Sequence, residues 1–187
     1  QADLDQFTRL SGLPAFVPEV VGGLPAQRSG EATMDLQAVH AIAPEATKVL
    51  VNARPTVEGA GSYEKIAALM EDVDRRFPGA VWSFTIGWCC DRMITAADLV
   101  PVRAALVRAQ TNGTAAFDAS GDLAGLECRG GQEWSAPPHA DNAGLDAVGS
   151  IPEMTNVGGT TLSTDDSGRW LAEQSWFTSD LVSMQAD

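Results

Sequence analysis

Apolar and polar positions along this chain follow two periods, and they switch several times between them. Ile66, Leu69, Met70 and Val73 share one face at helical spacing, which predicts an amphipathic helix over residues 62–77. Thr114, Ala116, Asp118 and Ser120 share one face at a period of two, which predicts a strand over 114–120. The same reading predicts helices over 3–12, closed by Gly12, over 30–42, stopped near Pro44, and over 95–110, with Pro101 in its first turns. It predicts an extended segment over 14–21 and strands over 47–53, 80–87, 153–162 and 169–176. Residues 23–30 read as loop and 121–144 as a glycine-rich connection. Strand, helix, strand, helix, strand implies an α/β fold with a parallel sheet flanked by helices. Active sites in such sheets form beyond the carboxyl ends of the strands. That singles out two loops, 87–91 and 120–125.

Length and composition narrow the picture. The chain has 187 residues, which fits one domain or a large part of a bigger one. With 44% hydrophobic and 20% charged residues, it reads as an ordinary globular chain. No apolar run is long enough to span a membrane. The opening QADLDQFTRL lacks the charged and apolar regions of a signal peptide. Acids outnumber bases 25 to 12, for a formal net charge of −13. That argues against nucleic acid and anionic membranes as partners. It is compatible with work at low pH, where carboxylates lose charge and repel less. Cys89, Cys90 and Cys128 form no Cys-x-x-Cys pair, so a zinc site is not expected. In an oxidising compartment, one of the adjacent pair can bridge to Cys128; otherwise all three are small buried residues.

Few residues could carry chemistry. Glu31 and Asp35 stand four apart at the start of a helix, hence on one face about one turn apart. Such a pair can share a proton and act as a general base with its orienting partner. The plainer reading is a solvated acidic first turn, favoured by the helix dipole. Ala38 and Ile42 continue the same side, flanked by Val39, so the face that buries the helix is expected to hold the acids too. Asp122 lies at a strand's carboxyl end between Gly121 and Gly125, which permit tight turns and close substrate approach. Protonated, it could donate to a developing oxyanion; otherwise it is an ordinary Asx turn. Asp118, in the preceding strand, is a secondary candidate, alternatively a solvent-facing residue or a partner for a nearby base. Trp88 ends a strand and could line a peptide pocket, or else is a core or rim aromatic. His40 points nearly opposite to Glu31 and Asp35, so it completes no triad with them. His139 lies in a loop and is expected to be exposed. No nucleophile-elbow, zinc-protease, P-loop or dinucleotide fingerprint occurs.

Four segments together resemble the sedolisin, or serine-carboxyl peptidase, family of kumamolisin-like enzymes. GEATMDLQAVHAIAPEA is similar to the family's helix with Glu-x-x-x-Asp. TNGTAAFDASGDLAG resembles its strand running into Ser-Gly-Asp. PEMTNVGGTTL and LAEQSW resemble the Val-Gly-Gly-Thr strand and the Glu-x-x-Trp beyond it. The matches keep their order from about residue 3 to residue 176, and the cysteine pattern fits members with a cysteine after each of two strands. The resemblance implies a subtilisin-like fold and peptide-bond hydrolysis at acidic pH. Glu31 would activate a serine, Asp35 would orient Glu31 and share its proton, and Asp122 would serve the oxyanion. Trp88 and Gly121, singled out by their own positions, are the expected substrate contacts. A secreted or otherwise extracytoplasmic location and a disulfide from Cys128 to Cys89 or Cys90 are likewise implied.

The departures shape the expectation. The family's nucleophile lies in a Ser-Gly-Thr-Ser motif downstream of Glu-x-x-Trp, and no serine here has that context, Ser183 included. The family's calcium site would lie further on, so no cofactor is expected in this chain. The strand usually preceding the first helix is also missing. The chain is therefore expected to be a partial sedolisin-like catalytic domain over 1–187. Its serine would come from a missing segment or another chain. An incomplete sheet leaves unpaired backbone and uncovered apolar surface, so a complementing polypeptide is expected besides the peptide or protein substrate. The alternatives are a non-catalytic subtilisin-like module that binds peptides or joins an assembly, and an unrelated α/β binding domain.

Overall fold

A computed structural model of the chain describes residues 1–24, 30–53, 61–87, 90–92, 94–123, 125–129 and 140–176. Trp88, Cys89, His139 and Ser183 lie outside the described residues. The chain divides into two units, Gln1–Ser62 and Tyr63–Asp187.

In the first unit, α1 (Ala2–Ser11) carries Asp3 and Asp5 in its first turn, where the helix dipole favours them. It ends on Gly12, whose φ of 67° places its N–H on the Thr8 carbonyl. Leu4 and Thr8 are its buried residues. β1 (Glu19–Val21) pairs in parallel with β2 (Val49–Val51), Glu19 opposite Val49 and Val21 opposite Val51. Between them runs α2 (Gly30–Ile42), packed against α1 and followed at once by Pro44, which cannot continue a helix. This is a βαβ unit, the connection that parallel strands require.

The second unit repeats the scheme. α3 (Ser62–Arg76) buries Ile66, Ala67, Met70 and Val73, the apolar face read from the sequence, while Leu69 is half-buried. β3 (Val81–Phe84), α4 (Val100–Thr111) and β4 (Ala115–Ala119) form a second βαβ unit. α4 starts five residues later than its expected 95, because Asp98 accepts the N–H and hydroxyl of Thr95 and closes a separate turn there. Pro101 sits in the first turn, where its missing N–H costs nothing. Val102, Ala105, Leu106 and Ala109 line the buried face of α4 at i, i+3, i+4 and i+7, and α4 packs against β4. β5 (Thr155–Val157) joins the other side of β4, also in parallel, so the order is β3-β4-β5.

The expected strand over 153–162 is two strands. Gly158 and Gly159 break it into β5 and β6 (Thr160–Thr164). β6 pairs antiparallel with β7 (Trp170–Ser175), a hairpin outside the parallel sheet. Its turn is held by Asp165, whose carboxylate accepts from the backbone of Ser167 and Arg169. No helix among the described residues is long and apolar enough to cross a membrane.

Candidate functional site

Glu31 and Asp35 lie on α2 in the first unit, Glu31 exposed in the first turn and Asp35 half-buried one turn on. The apolar stripe expected to bury this face does not: Ala38 and Val39 are exposed, and Ile42 is 88% exposed. His40 is the buried residue of α2 instead. Its ring stacks on Phe16 at a centroid distance of 4.1 Å, and its Nε2 lies 2.8 Å from the Pro14 carbonyl. The extended segment before β1 therefore takes the His40 side of the helix. At 100° per residue the acids face the opposite way. The physical reason for the correction is local: an aromatic partner outweighs the small Ala38 and the terminal Ile42.

In the second unit, β4 carries the chain into Ser120, Gly121 and Asp122 at its carboxyl end. The Ser120 N–H bonds to the Val157 carbonyl, which continues the β4–β5 ladder by one residue. Gly121 then takes φ 96°, a conformation open to glycine and strained for other residues. Asp122 is exposed at the bend. Beside it is a cleft of about 300 Å³, with Ser120, Gly121 and Asp122 on one side and Val157, Gly159 and Trp176 on the other. Gly159 is pressed against Trp176: its carbonyl accepts the Trp176 N–H at 3.0 Å, and a Cβ there would stand 3.3 Å from the Trp176 Cβ. Ligand sites in parallel α/β sheets commonly lie beyond the strands' carboxyl ends, in partly apolar clefts with a few polar groups. A hollow of about 380 Å³ along α4, between Val100, Arg103 and Val107, holds no pair of acid and nucleophile.

The Asp122 turn rests on groups that the sequence left unremarked. The Leu123 N–H donates to Glu127 Oε1 at 2.8 Å, and the Glu127 carboxylate fills the space beneath Gly121 that a Cβ would need. Burial pushes the Glu127 carboxyl up; the Leu123 N–H opposes this, and Asp146 and Asp122 add to it. Asp118 is 1% exposed, on the inward face of β4 with Thr114 and Ala116. The alternation was legible, but the solvent-facing reading is overturned, and the charged neighbour that acts on the group, among the described residues, is the acid Asp146. Among the described residues, neither carboxylate oxygen has a partner in good hydrogen-bond geometry; the Ala119 N–H is near but off that geometry. Burial, then the Asp146 carboxylate, raise the Asp118 carboxyl to about 7, with the Ala119 N–H pulling the other way. Asp146 is buried too and accepts the N–H groups of Val148 and Gly149 at 3.0 and 3.1 Å.

Cys90 and Cys128 are joined in a disulfide, Cα atoms 4.6 Å apart, so Cys90 is the member of the adjacent pair that bridges. Gly144 lies against it: a Cβ there would meet Cys128 Sγ, and Asp91 Oδ1 at 2.8 Å. Cys90, Asp91 and Cys128 also cluster at metal-ligand spacing, but sulfurs bonded to each other are unavailable to a metal. The structure thus groups Glu31 with Asp35 on one helix face, and Gly121 with Asp122 in one turn. The signal for Glu127 was an acid one residue before a cysteine and six after a turn glycine, too generic to single out.

No family model and no curated protein matches this chain. Among solved structures, it is similar to Pseudomonas sedolisin, a serine-carboxyl proteinase complexed with two molecules of pseudo-iodotyrostatin, at a TM-score of 0.70 and 20% identity. The alignment covers 94% of this chain and 48% of that one, so this chain spans about half the neighbour's length. The fold is therefore sedolisin-like: an α/β architecture with parallel strands flanked by helices.

Proposed function

We propose that this chain forms part of an acid serine-carboxyl endopeptidase of the sedolisin type, acting on peptides or proteins outside the cytoplasm. The observation that carries the reading is Asp122 on a glycine-held turn at the end of β4, beside a cleft, in a sedolisin-like fold. In this reading Glu31 takes the proton of a serine hydroxyl as it attacks the scissile carbonyl. Asp35 holds Glu31 in place and shares its proton. Asp122, protonated, donates to the oxyanion of the tetrahedral intermediate, and Glu31 returns its proton to the leaving amine. The serine comes from a segment beyond this sequence or from another polypeptide. A carboxylate base must be ionised while a carboxyl donor keeps its proton, which confines the chemistry to acidic pH. The disulfide supports an oxidising compartment.

The test is kinetic, on the native protein with whatever polypeptides accompany it. Asp122→Ala, which leaves no donor, is expected to lower kcat about 100-fold or more while KM changes little, because an oxyanion contact forms in the transition state. Unchanged kcat would remove Asp122 from the mechanism. A second reading, a non-catalytic peptide-binding module, is favoured by the exposure of Glu31, since a base in open solvent gains little from its surroundings. That reading requires peptide binding with no hydrolysis at any pH.

A further inference from the structure

We propose that Glu127 is a positioning residue for Asp122: its carboxylate fixes the backbone of the Gly121–Leu123 turn and so sets where the Asp122 side chain stands. The consequence for turnover rests on the peptidase reading; the geometry does not.

Three observations converge on this role. Glu127 Oε1 accepts the Leu123 N–H at 2.8 Å, directly after Asp122 in the chain. The same carboxylate occupies the place beneath Gly121 that a side chain would take, so the turn is gripped on both sides of Asp122. Glu127 itself is fixed from behind. It opens the short helical turn Glu127–Arg129, its N–H donates to the Gly144 carbonyl at 3.3 Å, and the next residue is the disulfide-bonded Cys128. The Gly144 N–H returns a bond to the Gly125 carbonyl at 2.9 Å, closing the loop on itself. A surface turn free of such ties would sample several conformations. Positional errors near 1 Å in a reacting group cost on the order of 100-fold in rate.

The grip is a hydrogen bond to an acceptor oxygen, which an amide can also supply. The Leu123 N–H bonds the carboxylate, and Asp146 and Asp122 act on it electrostatically, which favours the Gln NH2 on their side and its oxygen on Leu123. Glu127→Gln should therefore keep the turn in place, whereas Glu127→Ala should release it.

The experiment compares wild type, Glu127→Gln and Glu127→Ala as full chains, by residue-resolved amide hydrogen exchange. Expected is a Leu123 amide that exchanges about tenfold or more faster in Glu127→Ala and near the wild-type rate in Glu127→Gln. The Ala116 amide, in the core strand, should be unchanged in both. A Leu123 amide unaffected by Glu127→Ala overturns the proposal. So does equal acceleration at Ala116, which would reduce Glu127 to general stability. Peptide hydrolysis is the separate arm: kcat should fall about 10- to 100-fold in Glu127→Ala at little-changed KM and recover in Glu127→Gln. Should the exchange pattern hold while the wild-type protein hydrolyses nothing, the peptidase reading falls and the turn clamp stands.

Discussion

Asp118 shows how far burial, with a second carboxylate nearby, can move a side chain's chemistry. Its carboxyl keeps its proton in the folded chain up to about pH 7, while an unfolded aspartate loses it near 3.8. Between those values the folded state binds more protons. The stabilisation is therefore complete below about pH 4 and is lost as pH rises towards 7. The loss is on the order of 3–4 kcal/mol. Urea unfolding at about pH 4.5 and about pH 8 should show the wild type more stable in acid. Asp118→Asn should remove most of that difference; an equally steep dependence in the variant would place its origin elsewhere, for instance in the net charge of −13. The sequence showed Asp118 in phase with Thr114 and Ala116. It could not show which face of β4 was covered, because that depends on α4 and on residues 146–149 arriving from elsewhere in the chain. Asp122 was legible because its signals, a strand end and flanking glycines, are local. Glu127 was not, because its contacts with Gly121 and Leu123 exist only after the loop folds back.

At the scale of elements, helices and strands with a clear period came out of the sequence within a few residues. α2 runs over Gly30–Ile42, and α3 ends one residue before its expected limit. The misread cases each have a local cause. The Thr95–Asp98 turn holds back the start of α4. Two adjacent glycines split one apolar stretch into β5 and β6. On α2, the ring of Phe16 chose the His40 side rather than the side with Ile42. Packing between elements gives two further tests. Leu106 is fully buried on α4, so Leu106→Ala should cost about 2–5 kcal/mol in denaturant unfolding. A loss under about 0.5 kcal/mol would mean that α4 does not pack as described. Gly144→Ala should destabilise the oxidised protein by about 1–3 kcal/mol, since its methyl must displace a sulfur or the Asp91 carboxylate. Equal thermal midpoints for Gly144→Ala and wild type would contradict that crowding.

At the scale of the whole molecule, a sedolisin-like fold carries two acidic sets, Glu31 with Asp35 on α2, and Asp122 beyond β4. The fold alone does not dictate an activity, because one architecture hosts many chemistries. What weighs towards hydrolysis is the Asp122 turn with its cleft and its supporting carboxylate, together with an overall charge that is least repulsive in acid. The most direct test is peptide cleavage by the native protein, with the polypeptides that accompany it, at about pH 4 and about pH 7.5, read by mass spectrometry of the products. Cleavage is expected in acid and little at the higher pH, with Glu31→Gln about 100-fold slower or worse though still folded. Cleavage that survives Glu31→Gln at the wild-type rate, or a protein that binds peptides and cleaves none at either pH, would contradict the peptidase reading.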